Sequence, residues 1–187
     1  MSSKMDEIAD AKERYHFAKL ALFNVRFLDV LERQNSMIPP FIASEAKKNG
    51  FSDSPSLMNQ VTFLQFAYVC IVWLWESAER TNYKEKLIER FPGTTSKDKP
   101  NLPTKDQIKG KRALNDWESV LRFLRNALSH GRVKVTDDFF FIFSEQGRNE
   151  SVGTELKLSG EQLGRISEAV IHSFTLLLWP TNPSLPL

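Results

Sequence analysis

Arg125, Asn126, Ser129 and His130 lie within two helical turns of one another, directly before Gly131. An imidazole with an ordinary pKa near 6.5 can take or give a proton around neutrality. A guanidinium offers a planar fork of donors that fits phosphate oxygens. Side by side, the two groups suit acid–base chemistry next to a bound phosphate. Arg122 and Arg132 flank them and are further candidates for phosphate contact. Spacing alone is weak support, because Arg165 and His172 reproduce the same loose pattern. Context separates the two pairs: polar Asn126 follows Arg125, and His130 stands at a helix end with a glycine and a hairpin beyond it. A plainer role is also open, since a His in the last turn interacts favourably with the helix dipole by about 0.3–1 kcal/mol.

The element that must position these groups is a helix. Leu114, Trp117, Leu121, Leu124 and Leu128 recur at steps of three and four, so they form one apolar stripe. Arg122, Arg125, Asn126 and Ser129 fall on the opposite side. Gly131 is the residue type best able to adopt the left-handed conformation that ends a helix. Thr104 with Gln107 reads as a capping box, expected to open this third, central helix.

Upstream, residues from about Met5 to Arg33 read as one long helix without Gly or Pro. Tyr15, Ala18, Leu22 and Val25 mark one apolar line; Leu20, Phe23, Phe27 and Leu31 mark a second. A helix apolar over so wide an arc needs cover on more than one side, from a bundle or from another subunit. Pro39-Pro40 is expected to close this region. Irregular chain is expected at about 35–55, with a short helix from Ala43 to Lys48 stopped by Asn49-Gly50. Ser54-Pro55 reads as the start of a second helix reaching about Arg80. Glu76, Glu79 and Arg80 at its end are candidates to pair with the central arginines, Glu76 with Arg125 in particular. Residues 91–104 carry the punctuation of a loop.

Beyond Gly131 the period changes. Val133 and Val135 alternate with polar residues, Asp137-Asp138 makes a turn, and Phe139 to Phe143 returns as a strand. Glu155 to Leu158 adds a third short strand, so a β insertion is expected at about 132–158. Ser159 with Gln162 caps a last helix striped by Leu163, Ile166, Val170, Phe174 and Leu177, which Pro180 ends. The expected fold is mainly α: an antiparallel four-to-five-helix bundle with a small antiparallel hairpin or three-stranded insertion between the third and fourth core helices. The whole chain, 1–187, reads as a single domain.

Composition closes several alternatives. Hydrophobic residues at 41%, charged residues at 26% and a formal net charge of +2 are ordinary globular values. Cys70, the lone cysteine, rules out an internal disulfide and reads as a small buried hydrophobe. His16, His130 and His172 are scattered, giving no spacing suited to zinc, and no metal or cofactor is expected. Gly110-Lys111 lacks the upstream glycine of a phosphate loop, and no Gly-x-Ser-x-Gly elbow occurs. Lys105, Lys109, Lys111 and Arg112 read as a solvated basic face. His16 and His172 are expected to be satisfied core or interface histidines, and Trp73, Trp75, Trp117 and Trp179 core. The chain has no signal-like start, and its most apolar run, Phe66–Trp75, is ten residues long. A membrane span needs about 20, so a soluble, cytoplasmic protein is expected.

Arg125-Asn126-Ala127-Leu128-Ser129-His130-Gly131 resembles the signature of the HEPN superfamily (higher eukaryotes and prokaryotes nucleotide-binding), an Arg, four to six residues, then His, at the end of the third core helix. The likeness is close over about Leu114–Trp179; the first two helices agree in pattern only. The inserted strands are similar to those of small plasmid-borne and defence-associated bacterial branches. What the resemblance implies is a metal-independent RNA endonuclease acting as a homodimer, with His130 as catalytic imidazole, Arg125 as its phosphate-binding partner, and Asn126 and Ser129 in support. It also implies RNA as substrate and, in a toxin or phage-defence setting, an antitoxin protein as partner. A non-catalytic nucleotide- or RNA-binding module of the same fold is the alternative. One imidazole cannot be acid and base at once, so the catalytic reading needs two copies around a two-fold axis.

Overall fold

The computed structural model describes residues 4–34, 37–50, 56–57, 59–91, 100–136, 138–145 and 153–178. Among these residues are six helices: α1 (Lys4–Gln34), α2 (Ile38–Lys48), α3 (Gln60–Arg80), α4 (Lys84–Arg90), α5 (Trp117–Ser129) and α6 (Gly160–Leu178). Four strands, β1 (Ile108–Lys109), β2 (Val133–Val135), β3 (Phe140–Glu145) and β4 (Thr154–Ser159), form one antiparallel sheet in the order β1-β4-β3-β2. The chain is thus mostly helical with a small sheet.

The core is organised around α3. Its centre, Tyr68–Trp73, is wound as a π-helix, and Cys70, Ile71 and Val72 are all buried in succession. So wide a buried arc is possible because α1, α5 and α6 all pack against this segment. Burial pushes the Cys70 thiol well above its usual range, which makes it a packing group rather than a nucleophile. By length and composition α3 is apolar enough to cross a membrane, contrary to the count based on the ten-residue run. Half of that window is buried inside the fold, as in any core helix. Phe141, Phe143, Leu156 and Leu158 line the inner face of the sheet, on which α5 and α6 rest.

Several boundaries differ from the sequence reading. Pro39 and Pro40 do not close α1 but stand in the first turn of α2, where a missing N–H costs nothing. Asn59 caps α3, its Oδ1 accepting from the Val61 and Thr62 N–H groups at 2.9 and 3.1 Å; Ser54 and Pro55 lie outside the described residues. Helix α4 was not anticipated.

The Thr104–Gln107 box does form, but it opens only one 3-10 turn, Lys105–Gln107. Gln107 Nε2 then donates to the Lys157 carbonyl at 3.1 Å, and the chain enters the sheet as β1. Gly110, at φ +114°, lies so close to β4 that a Cβ would sit 2.7 Å from the Gly153 carbonyl oxygen. This edge pairing is why the sheet has four strands instead of three. The Ser159–Gln162 box behaves as expected, with Gln162 N–H donating to Ser159 Oγ at 3.2 Å at the head of α6.

Helix α5 takes its start from Asp116, whose Oδ1 accepts from the Ser119 N–H at 2.7 Å while Ser119 Oγ donates to the Asp116 carbonyl at 2.8 Å. Asp116→Ala is expected to lower stability by about 1 kcal/mol. The check is a shift in urea midpoint at constant m-value; an unchanged midpoint would show that the cap contributes nothing.

Candidate functional site

Val120, Leu121, Phe123, Leu124, Ala127 and Leu128 are the buried face of α5. Their burial turns Arg122, Arg125, Asn126 and Ser129 to the other side, as the periodicity requires. The exit follows the Schellman pattern: Gly131 N–H donates to the Leu128 carbonyl at 3.2 Å and Arg132 N–H to the Ala127 carbonyl at 2.8 Å. Gly131 adopts φ +62°, the left-handed value this motif demands. His130 is therefore the last residue before the reversal, and it is exposed. Its N–H donates to the Asn126 carbonyl at 3.1 Å, which places it one turn beyond Asn126. The Ser144 N–H donates to the Arg132 carbonyl at 3.0 Å and ties the exit to β3.

A polar chain crosses α5 at this level. Arg125 Nη1 donates to Asn126 Oδ1 at 3.0 Å, Asn126 Nδ2 donates to Glu145 Oε1 at 3.0 Å, and Arg112 Nη1 meets Glu145 Oε2 at 2.5 Å. On its other side Arg125 Nη2 lies 3.6 Å from Glu76 and 4.0 Å from Glu79, both on α3. Those two separations exceed hydrogen-bond length, so the carboxylates orient the guanidinium without consuming its donors. Arg125 Nε is shielded from solvent and has no hydrogen-bond partner among the described residues. The Arg125 side chain keeps 30% of its surface exposed, enough for an anion to reach its outer edge.

Arg125 and Asn126 are thus brought together, and Glu76 meets Arg125 as expected. Ser129 and Arg132 are exposed beside His130 at the helix exit. Arg122 is engaged elsewhere: its guanidinium bonds Glu118 at 2.7 Å, and Glu118 also holds Lys84 at 2.9 Å. The Lys84 hydrogen bond, helped by both positive charges, keeps the Glu118 carboxyl below its usual value.

Glu145 and Arg112 were missed by the sequence reading. The signal for Glu145 was its register: with Phe141 and Phe143 pointing inward, the alternate residue had to point inward too. Arg112, expected on a solvated face, is instead half-buried over the Phe123 ring, 5.8 Å from its centroid.

An acidic groove of about 600 Å³, lined by Glu79, Asn82, Lys84, Glu85, Glu89 and Glu118, opens next to this site but does not include His130. Its charge is wrong for a phosphate. Among the described residues no group of three or more His, Cys, Asp or Glu side chains is placed to hold a metal ion. Trp75 is buried, Trp73 and Trp117 are half-buried, and Trp179 lies outside the described residues.

A model of the family described as HEPN pEK499 p136 matches residues 5–176 of the chain. No curated protein and no solved structure matches it.

The other histidines have different surroundings. His16 is exposed on α1, so a core position is excluded for it; the neighbouring Tyr15 turns inward instead. His172 is half-buried on α6, and burial holds its imidazole below the usual value of 6.5. The Arg26 and Lys19 charges act in the same direction, and Glu168 opposes them. A His with a lowered folded pKa binds fewer protons folded than unfolded. Stability therefore falls as pH drops below the ordinary value near 6.5, and levels off once pH is below the folded value. His172→Gln should flatten the dependence of Tm on pH in that window; an unchanged slope would remove His172 as its source.

Proposed function

The chain belongs to the HEPN pEK499 p136 family, and from that premise we propose that it is a metal-independent RNA endonuclease working as a homodimer. The observation that carries this reading is the exposed His130 at the α5 exit, one turn beyond an Asn126 whose amide holds Arg125. In the reaction one His130 takes the proton of a ribose 2′-hydroxyl. The 2′-oxygen attacks the adjacent phosphorus, and the 5′-oxygen leaves with a proton from the second His130. The products are a 2′,3′-cyclic phosphate and a free 5′-hydroxyl. Arg125 places its donors against the phosphate oxygens, where negative charge grows in the transition state. Ser129 and Arg132, exposed at the same exit, are in place to support it.

Two imidazoles require two subunits, and α1 has apolar surface available for association. Phe17, Leu20, Phe23, Phe27 and Val30 are exposed on the side away from the buried Ala11, Tyr15, Ala18 and Leu22. Contiguous exposed apolar stripes mark interaction surfaces. In a cell such an enzyme acts as a toxin or phage-defence component, held in check by an antitoxin protein.

A second reading has one observation in its favour. Glu76 and Glu79, 3.6 and 4.0 Å from the Arg125 guanidinium, offset part of its charge. That weakens its hold on charge growing in a transition state while leaving its donors free for a nucleotide or RNA phosphate in a module without turnover. Measured RNA binding with no cleavage would select it.

Cleavage of labelled RNA by the purified protein is expected to persist in the presence of a chelator and to fall by about 10²–10⁴ in His130→Ala. Equal cleavage by wild type and variant would overturn the assignment. The shared site has its own test. As His130→Ala subunits are mixed into wild type and allowed to exchange, activity should fall as the square of the wild-type fraction. A linear decline would mean that each subunit works alone.

A further inference from the structure

Alternation along the strands divides the sheet into two unlike faces. The inner one carries Phe141, Phe143, Leu156 and Leu158 against α5 and α6. On the outer one, the register sets Lys134 of β2 beside Ile142 of β3 and Ile142 beside Lys157 of β4. Next to that row stand Phe140 and, across from Glu155, Lys109. Lys109, Lys134 and Lys157 are exposed, while Phe140 and Ile142 are half-buried. Lys157 Nζ lies 4.2 Å from the centroid of the Phe140 ring. Glu155, half-buried, is an acidic residue on this face and is paired in register with Lys109, at the edge away from β2.

This surface is continuous with the α5 exit. Exposed His130 and Arg132 lead directly into β2, and the Ser144 N–H on the outer row donates to the Arg132 carbonyl at 3.0 Å. Lys134 and Lys157 stand two strand spacings apart, roughly 10 Å. Cations at that separation, with Ile142 between them and the Phe140 ring beside the row under Lys157, match what a flexible polyanion with stacking bases offers: charges for the backbone and an aromatic surface for one base.

We propose that the outer face of the sheet, through Arg132, Lys134, Lys157 and Phe140, is a binding track for single-stranded RNA that delivers the strand to His130. The delivery step rests on the nuclease reading; the binding does not. A helical partner protein fits the face poorly, because among the described residues its strands carry one aliphatic and one aromatic side chain, Ile142 and Phe140, beside three lysines.

The test uses full-length His130→Ala protein and a fluorescein-labelled oligouridylate, read by anisotropy over a salt series. Adding Lys134→Glu and Lys157→Glu together is expected to weaken binding at least about tenfold and to make the log–log salt slope shallower by about 1.4, at 0.7 for each lost phosphate contact on a single strand. Phe140→Leu, which keeps apolar bulk, is expected to weaken binding about fivefold with the slope unchanged. Thermal melting of each variant checks that the fold is retained. Binding and slope unaltered by the double lysine change would overturn the track, as would absence of RNA binding or preference for phosphatidylserine vesicles over RNA. If wild type cleaves while the double lysine variant binds normally, the track fails and the nuclease stands. If wild type does not cleave but binding depends on the lysines, the nuclease fails and the track stands.

Discussion

The roll of α5 about its own axis is the constraint on which the arrangement depends. Six side chains on this helix are buried, and successive residues differ in direction by a little under a third of a turn. Rotating the helix by one residue would expose leucines and bury arginines, each such apolar side chain being worth about 1.5–3 kcal/mol when buried. With the roll set, Arg125 and Asn126 come to the two flanks of the polar arc instead of its crest. The flanks are where a helix meets its neighbours. Arg125 consequently finds the carboxylates of α3, and Asn126 finds Glu145 of the sheet.

The polar chain from Arg112 to Glu76 does more for geometry than for stability. A hydrogen bond between partly exposed groups contributes on the order of 1 kcal/mol, and exposed ion pairs less. What it secures is orientation. The Asn126 amide accepts on its oxygen side from Arg125 and donates on its nitrogen side to Glu145, so its two ends cannot be exchanged without losing both bonds. The guanidinium is then held between an amide and two carboxylates that stand beyond hydrogen-bond distance. Such preorganisation leaves little to rearrange when a phosphate arrives. At the other end of the same helix turn, the Schellman exit fixes where His130 emerges, since the Gly131 reversal leaves it no further turn to pack against.

Much of this could be read from residue order. The long α1, the body of α3, the apolar face of α5, the hairpin and the capped α6 each carry a clean local signal, because period, cap and breaker residues act over a few positions. The failures share a cause as well. Thr104 and Gln107 make a sound capping box, but the Gln107 side chain also bonds the backbone of β4, fifty residues away in the chain, and the segment becomes a strand edge. Pro39-Pro40 reads equally well as a stop or a start. Helix α4 is short, with its buried Leu87, and Phe91 directly after it, seated by contacts that only the folded core provides.

For the candidate site the division is similar. Residue types and their order alone determined that an amphipathic helix would end at Gly131 with Arg125, Asn126 and His130 on or near its polar side, because helical period and left-handed glycine are local properties of the backbone. Tertiary structure decided which partners those groups meet. Glu145 and Arg112 join Asn126 only because β3 and the edge of the sheet fold back across α5, and Lys84 reaches Glu118 only through the fold, whereas the Glu118–Arg122 pair, one turn apart on α5, is local. Side-chain partnership across long stretches of chain depends on packing, which no local pattern encodes.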